Sequence, residues 1–178
     1  MKRSLTVKNL VLCGVVAAMY TALTVLLEPI SYGGTQFRIS EALTLLPMLF
    51  PQTVPALAVG CFLANLLGGC TLLDIIFGSL ATLLAAYLTS KHTNPFLGAV
   101  YPVVINAIVI GAVLTITTAE PSWTLLGFNM AGVGIGQFGA CYLVGVPLVY
   151  LLRRVPVIRT LGGRDVRGRT LPQKEIHE

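Results

Sequence analysis

The stretch LTLLPMLFPQTVPALAVGCFLANLLGGCTLL, from Leu43 to Leu73, carries no charged residue, and how it divides decides the fold. About 20 apolar residues cross a bilayer core of roughly 30 Å, so the run is long for one span and short for two. Pro47, Pro51 and Pro55 settle the division, because proline removes a helical hydrogen bond and its ring clashes with the preceding turn. The sequence predicts one helix from about Phe37 to Phe50, a tight turn through Pro51-Gln52-Thr53, and another helix from about Val54 to Leu67. Both are short, and they need tilt, local thinning or shielding by the rest of the chain.

Outward from this run the composition is that of a polytopic membrane protein. The 178 residues are 55% hydrophobic and only 11% charged, with a mean hydropathy of +0.83. A first helix is expected from about Val7 to Leu27, too long for the roughly 7 to 15 apolar residues of a secretory signal and without a clear cleavage site. Further helices are expected at about Leu72 to Leu88, Phe96 to Thr117 (with a central Asn106) and Leu125 to Leu152. The fold class is therefore an all-α membrane protein with six transmembrane helices.

Charge supports the count of six. Lys2, Arg3, Lys8, Lys91 and the arginines from Arg153 onward all fall on one side if the helices number six, as the positive-inside rule demands. Both termini are then cytoplasmic, in a multi-pass protein of the cell membrane. Residues 1–152 form the helical domain and 153–178 a basic cytoplasmic tail. The net charge of +5 reads as a topology signal that also suits anionic headgroups, and it does not argue for nucleic acid.

The opposite side holds Glu28, Arg38, Glu41, Asp74 and Glu120. Charges beside hydrocarbon are costly, so each needs a partner, either another side chain or a ligand. On a helix, Arg38 and Glu41 lie within reach of each other, as a structural ion pair or as part of a site. Asn65 and Asp74 belong at the same outer depth, Asn129 one turn into the last helix, and Gln137 deeper. Together they can line a pocket for a small, flat, donor-rich ligand, because a carboxylate accepts two parallel N–H bonds and a second carboxylate pairs with an ammonium. Tyr32, Phe37 and Trp123 can stack on a ring, although Trp123 fits an interfacial belt better.

Competing chemistry has little support. There is no G-x-x-x-x-G-K-[ST] phosphate loop, no H-E-x-x-H helix and no C-x-x-C pair, and no metal-binding set is expected. Gly132-x-Gly134-x-Gly136 lies inside an apolar span, where packing explains it. A membrane enzyme using Glu41 and Asp74 as an acid/base pair is the alternative from another class. A stand-alone secondary transporter lacks a recognisable internal repeat. Gly14, Ala18 and Ala22 recur at intervals of four on the first helix, a stripe that permits close approach of another helix, from this chain or from a partner.

Two blocks, ISYGGTQFRISEALTLLP from Ile30 to Pro47 and NLLGGCTLLDIIFGSL from Asn65 to Leu80, resemble the QueT proteins. These are substrate-binding S components of energy-coupling factor (ECF) transporters for queuosine precursors. The resemblance implies a six-helix bundle with both termini inside and a substrate site near the outer face. It also implies as partners a transmembrane coupling (T) subunit and two ATPases, which use ATP and Mg while this chain holds no cofactor. Ala18-Met19-Tyr20-Thr21-Ala22 is similar to the A-x-x-x-A pattern through which S components meet the coupling subunit. The implied ligands are 7-aminomethyl-7-deazaguanine (preQ1) or queuine, another 7-deazaguanine base; the expected site, from charge and topology, is Arg38, Glu41, Asn65, Asp74, Phe37, Asn129 and Tyr32. Another vitamin-like molecule is the alternative substrate.

Overall fold

The computed structural model describes residues 7–32 and 36–155, so most of the expected basic tail lies outside the described residues. Helix α1 spans Val7–Leu26, and a single helical turn, Glu28–Ser31, follows it. A 3-10 helix covers Ile39–Met48, and Pro51–Thr53 forms a 3-10 turn. Helix α2 is Val54–Leu67 and α3 is Leu72–Thr89. Helix α4, Pro95–Ile116, steps out of helical winding at Ala99. Helix α5, Trp123–Arg154, changes to π winding over Gly139–Gly145.

Six helical segments thus stand where the hydropathy and the prolines place them. Four of them, α1, α3, α4 and α5, are long and apolar enough to cross a membrane; Ile39–Met48 and Pro51–Leu67 are shorter. The expected second helix also differs in kind. Phe37 and Arg38 precede it on non-helical backbone, with Arg38 at φ −87° and ψ 100°, and its winding is 3-10 rather than α. At about 2.0 Å rise per residue, ten 3-10 residues reach roughly 20 Å. The same ten in an α-helix reach roughly 15 Å, so the tighter winding lengthens a short segment.

Three residues per turn also give this helix three straight rows of side chains. Ser40, Leu43 and Leu46 face α1 and α2: Ser40 shares a hydroxyl hydrogen bond of 2.6 Å with Thr24, and the two leucines pack with Val16, Tyr20, Leu57 and Cys61. Leu45 and Met48 join Cys141, Val146 and Val149 of α5, where Ala42 and Leu45 lie against Gly145. Glu41 and Thr44 form the third row. Every residue from Ser40 to Met48 is buried, so the centre of the bundle is this helix, ringed by the longer ones.

The long helices pack in chain order, α1 on α2, α2 on α3, α3 on α4 and α4 on α5. Gly60 sets the first of these contacts. A Cβ there would lie 2.9 Å from both the Ala17 carbonyl and the Tyr20 Cβ, so only glycine allows the approach. Local signals fix the ends. Gly69, at φ +65°, turns the chain after α2 in a conformation that disfavours a side chain. Thr71, Asn94 and Ser122 accept backbone N–H groups at the starts of α3, α4 and α5.

Candidate functional site

The third row of the 3-10 helix places Glu41 inside the bundle at 1% exposure. Its Oε1 accepts a hydrogen bond from the Tyr20 hydroxyl of α1. Thr82 of α3 and Asn106 of α4 face the same carboxylate, yet Oε2 closes no hydrogen bond, and neither does Asn106 Oδ1. Both are buried acceptors left open.

Arg38 is equally buried but does not meet Glu41 in an ion pair. Its Nε donates to the Ser31 carbonyl at 3.3 Å, and its guanidinium carbon stands 5.0 Å from the centre of the Tyr32 ring. The reason is backbone geometry: Arg38 precedes the helix, so helical i,i+3 adjacency to Glu41 does not apply. Arg38 still lies within electrostatic range of Glu41, Tyr20 and Cys61. Its positive charge stands near Glu41 without contacting the carboxylate.

Tyr32 donates to the Ala64 carbonyl at 2.6 Å and covers Gly68. Burial pushes its phenol up to about 12, against the pull of the Arg38 guanidinium, so it remains a neutral donor at physiological pH. Phe37 is half-buried, and its ring rests on Gly139, the first residue of the π segment. The chain leading into the 3-10 helix is therefore tied to α2 on one side and to α5 on the other.

Asn65 and Asp74 form a second polar group. Asn65 Nδ2 donates to the Asp74 carbonyl at 3.0 Å, with the amide packed on Gly78. Asp74 has a local partner that the sequence reading overlooked. Its N–H donates to Thr71 Oγ1 at 3.2 Å, an N-cap bond, and its Oδ2 accepts from the Thr71 hydroxyl rather than from the backbone N–H, at 2.7 Å. Its Oδ1 is nevertheless buried without a partner. Cys61 links the two groups: Asn65 Nδ2 approaches its sulfur at 3.7 Å, and it lies within electrostatic range of Arg38 and Glu41.

Asn129 stands apart, donating to Thr115 Oγ1 at 3.0 Å across the α4–α5 contact. Gln137 is buried beside Cys141, which donates weakly to the Glu41 carbonyl at 3.7 Å. Trp123 is 88% exposed, as an interfacial aromatic would be. Tyr20, Thr82 and Asn106 are the residues missed as site members. Val16, Tyr20 and Thr24 are the buried residues of α1, at intervals of four, a line that only the packed helix reveals. Gly14, Ala18 and Ala22 of the same helix are exposed, so their stripe is not used within the described chain. Among the described residues no group of His, Cys, Asp and Glu is placed to hold a metal ion.

Comparison with known proteins agrees with a transport role. The family profile described as QueT transporter matches residues 10–154. The Queuosine precursor transporter QueT of Lactococcus lactis subsp. cremoris (strain MG1363) is 40% identical over 85 residues, 47% of this chain. The match spans about half the length of that relative, 49%. No solved structure matches significantly. The family match covers nearly all the described residues, and the chain belongs to the QueT transporter family.

Proposed function

We propose that the chain is the substrate-binding S component of an ATP-driven ECF importer and captures a queuosine precursor, a 7-deazaguanine base such as preQ1 or queuine, from outside. The observation that carries this reading is Glu41, a buried carboxylate held at one oxygen by Tyr20 and open at the other. A flat base with an amino-pyrimidinone edge supplies the missing donors. Asp74 Oδ1, the other buried carboxylate oxygen without a partner, suits a side-chain ammonium, with Asn65 positioning it. Arg38, Tyr32 and Phe37 shape the approach to Glu41. Asn129 joins the site only by releasing Thr115.

Six crossings, both termini inside and an outward-facing site belong to this reading. The exposed stripe of Gly14, Ala18 and Ala22 supports a contact with the transmembrane coupling subunit, since small residues left open on a membrane helix invite close packing by another. The chain needs no cofactor of its own, because ATP and Mg are used by two partner ATPases. Co-expression with coupling and ATPase subunits tests the assignment. A tagged chain should co-purify with them and support ATP-dependent uptake of preQ1 into vesicles. Uptake by the chain alone, driven by an ion gradient, would instead make it a stand-alone carrier.

A further inference from the structure

We propose that the chain binds one anionic phospholipid, with an acyl chain in the apolar groove between α1, the 3-10 helix and the end of α5, and with the headgroup held by Lys8 and Arg154. The proposal goes beyond the substrate reading and stands independently of it. The groove has a volume of about 330 Å³, and every residue that lines it is apolar. Val15 and Met19 come from α1, Leu43 from the 3-10 helix, and Leu148 and Leu152 from α5. Val15 is 50% exposed and Leu43 only 5%, so the groove opens at the surface and closes on the central helix.

Basic residues stand at one end of it. Leu12 and Val155 also line the groove; Lys8 lies one helical turn before Leu12 on the same face, and Arg154 adjoins Val155. Leu12 and Leu152 pack against the same two core clusters, which puts both cations at the same end of the bundle. Arg154 lines a second hollow along α5, of about 600 Å³, that shares Leu148 with the groove. Two acyl chains can thus straddle Leu148 beneath one headgroup. Lys8 and Arg154 are exposed, whereas Arg153 is engaged, donating to the Thr93 carbonyl at 2.6 Å and standing 5.7 Å from the centre of the Tyr150 ring. Past Val155 the sequence adds five basic residues against three acidic ones, a balance that attracts anionic headgroups. Lipid tails are as apolar as leucine, so the groove supplies fit and the cations supply headgroup selectivity. A helix is too large to enter: one about 10 Å across fills roughly 800 Å³ over 10 Å of its length.

Native mass spectrometry of the purified full chain in detergent, titrated with dioleoyl phosphatidylglycerol and dioleoyl phosphatidylcholine, tests the assignment. The wild type should take up one phosphatidylglycerol and prefer it by roughly tenfold or more, the scale that two basic residues confer on an anionic headgroup. Lys8→Gln combined with Arg154→Gln should cut that preference to about twofold or less. Val15→Trp, which fills the groove, should weaken binding of both lipids. Equal binding of the two lipids by the wild type, or an undiminished preference in the double variant, overturns the proposal. So does a folded Val15→Trp chain that binds lipid normally but no longer co-purifies with the coupling subunit, which would make the groove a protein contact. If the variants do not fold, phosphatidylglycerol carrying a diazirine in one acyl chain decides on the wild type: labelling of Val15, Met19 or Leu148 supports the proposal, and labels confined to other helices overturn it.

Discussion

Tyr20 and Glu41, 21 residues apart, join α1 to the 3-10 helix through a hydrogen bond from the phenol to the carboxylate. Both are essentially inaccessible to water. Removing the phenol leaves a second carboxylate oxygen buried without a donor. Tyr20→Phe should lower stability by about 1–3 kcal/mol, and it should weaken binding of a deazaguanine base roughly tenfold by releasing Glu41. Thermal unfolding and calorimetry on the same preparation measure the two effects. A variant that melts early but binds normally would make Tyr20 purely structural.

Asp74 has two separable duties, and Thr71 tells them apart. Thr71→Ala removes the cap of α3 and should lower stability by about 1 kcal/mol while leaving ligand affinity within about threefold. Asp74→Asn should weaken binding of 7-aminomethyl-7-deazaguanine and leave that of 7-deazaguanine, which has no amine, unchanged. Equal losses for both bases would assign Asp74 to the fold alone.

Gly60 holds α1 against α2, and the backbone of Ala17 cannot yield as a flexible side chain would. Gly60→Ala should destabilise the bundle by about 1–3 kcal/mol, the range for overpacking a close contact. Gly14→Ala, with nothing within 4 Å of its added carbon, is the control and should leave the thermal midpoint unchanged.

The exposed stripe predicts the reverse pattern of losses. Replacing Ala18 and Ala22 with leucine adds bulk at exposed positions, so ligand binding and melting should stay at wild-type levels. Co-purification with the coupling subunit should fall. A full complex with both leucines present would place that contact elsewhere.

Much of the fold was legible in the sequence because prolines, glycines and caps act locally. The division at Pro51-Gln52-Thr53, the limits of Val54–Leu67 and the start of α3 at Leu72 all follow from residues within a few positions of the boundary. The 3-10 winding of Ile39–Met48 was not legible, because it depends on burial on every side, which neighbours distant in sequence impose. The same limit applies to the site. Arg38, Glu41 and Asp74 stood out as charges in an apolar chain, whereas their partners did not. Tyr20 and Thr82 are ordinary members of apolar helices until packing brings them to Glu41. Thr71 is the exception, a local cap visible as T-x-x-D ahead of an apolar run.

Isothermal calorimetry of the purified chain with 7-aminomethyl-7-deazaguanine shows whether the open oxygen of Glu41 receives the ligand. Glu41→Gln preserves the side chain's size but replaces one acceptor with a donor and removes the charge. Binding by Glu41→Gln should weaken by roughly a hundredfold or more, the upper scale for a hydrogen bond to a charged group, in a protein that still elutes as a folded species. Unchanged affinity in Glu41→Gln, and likewise in Asp74→Asn, would contradict it.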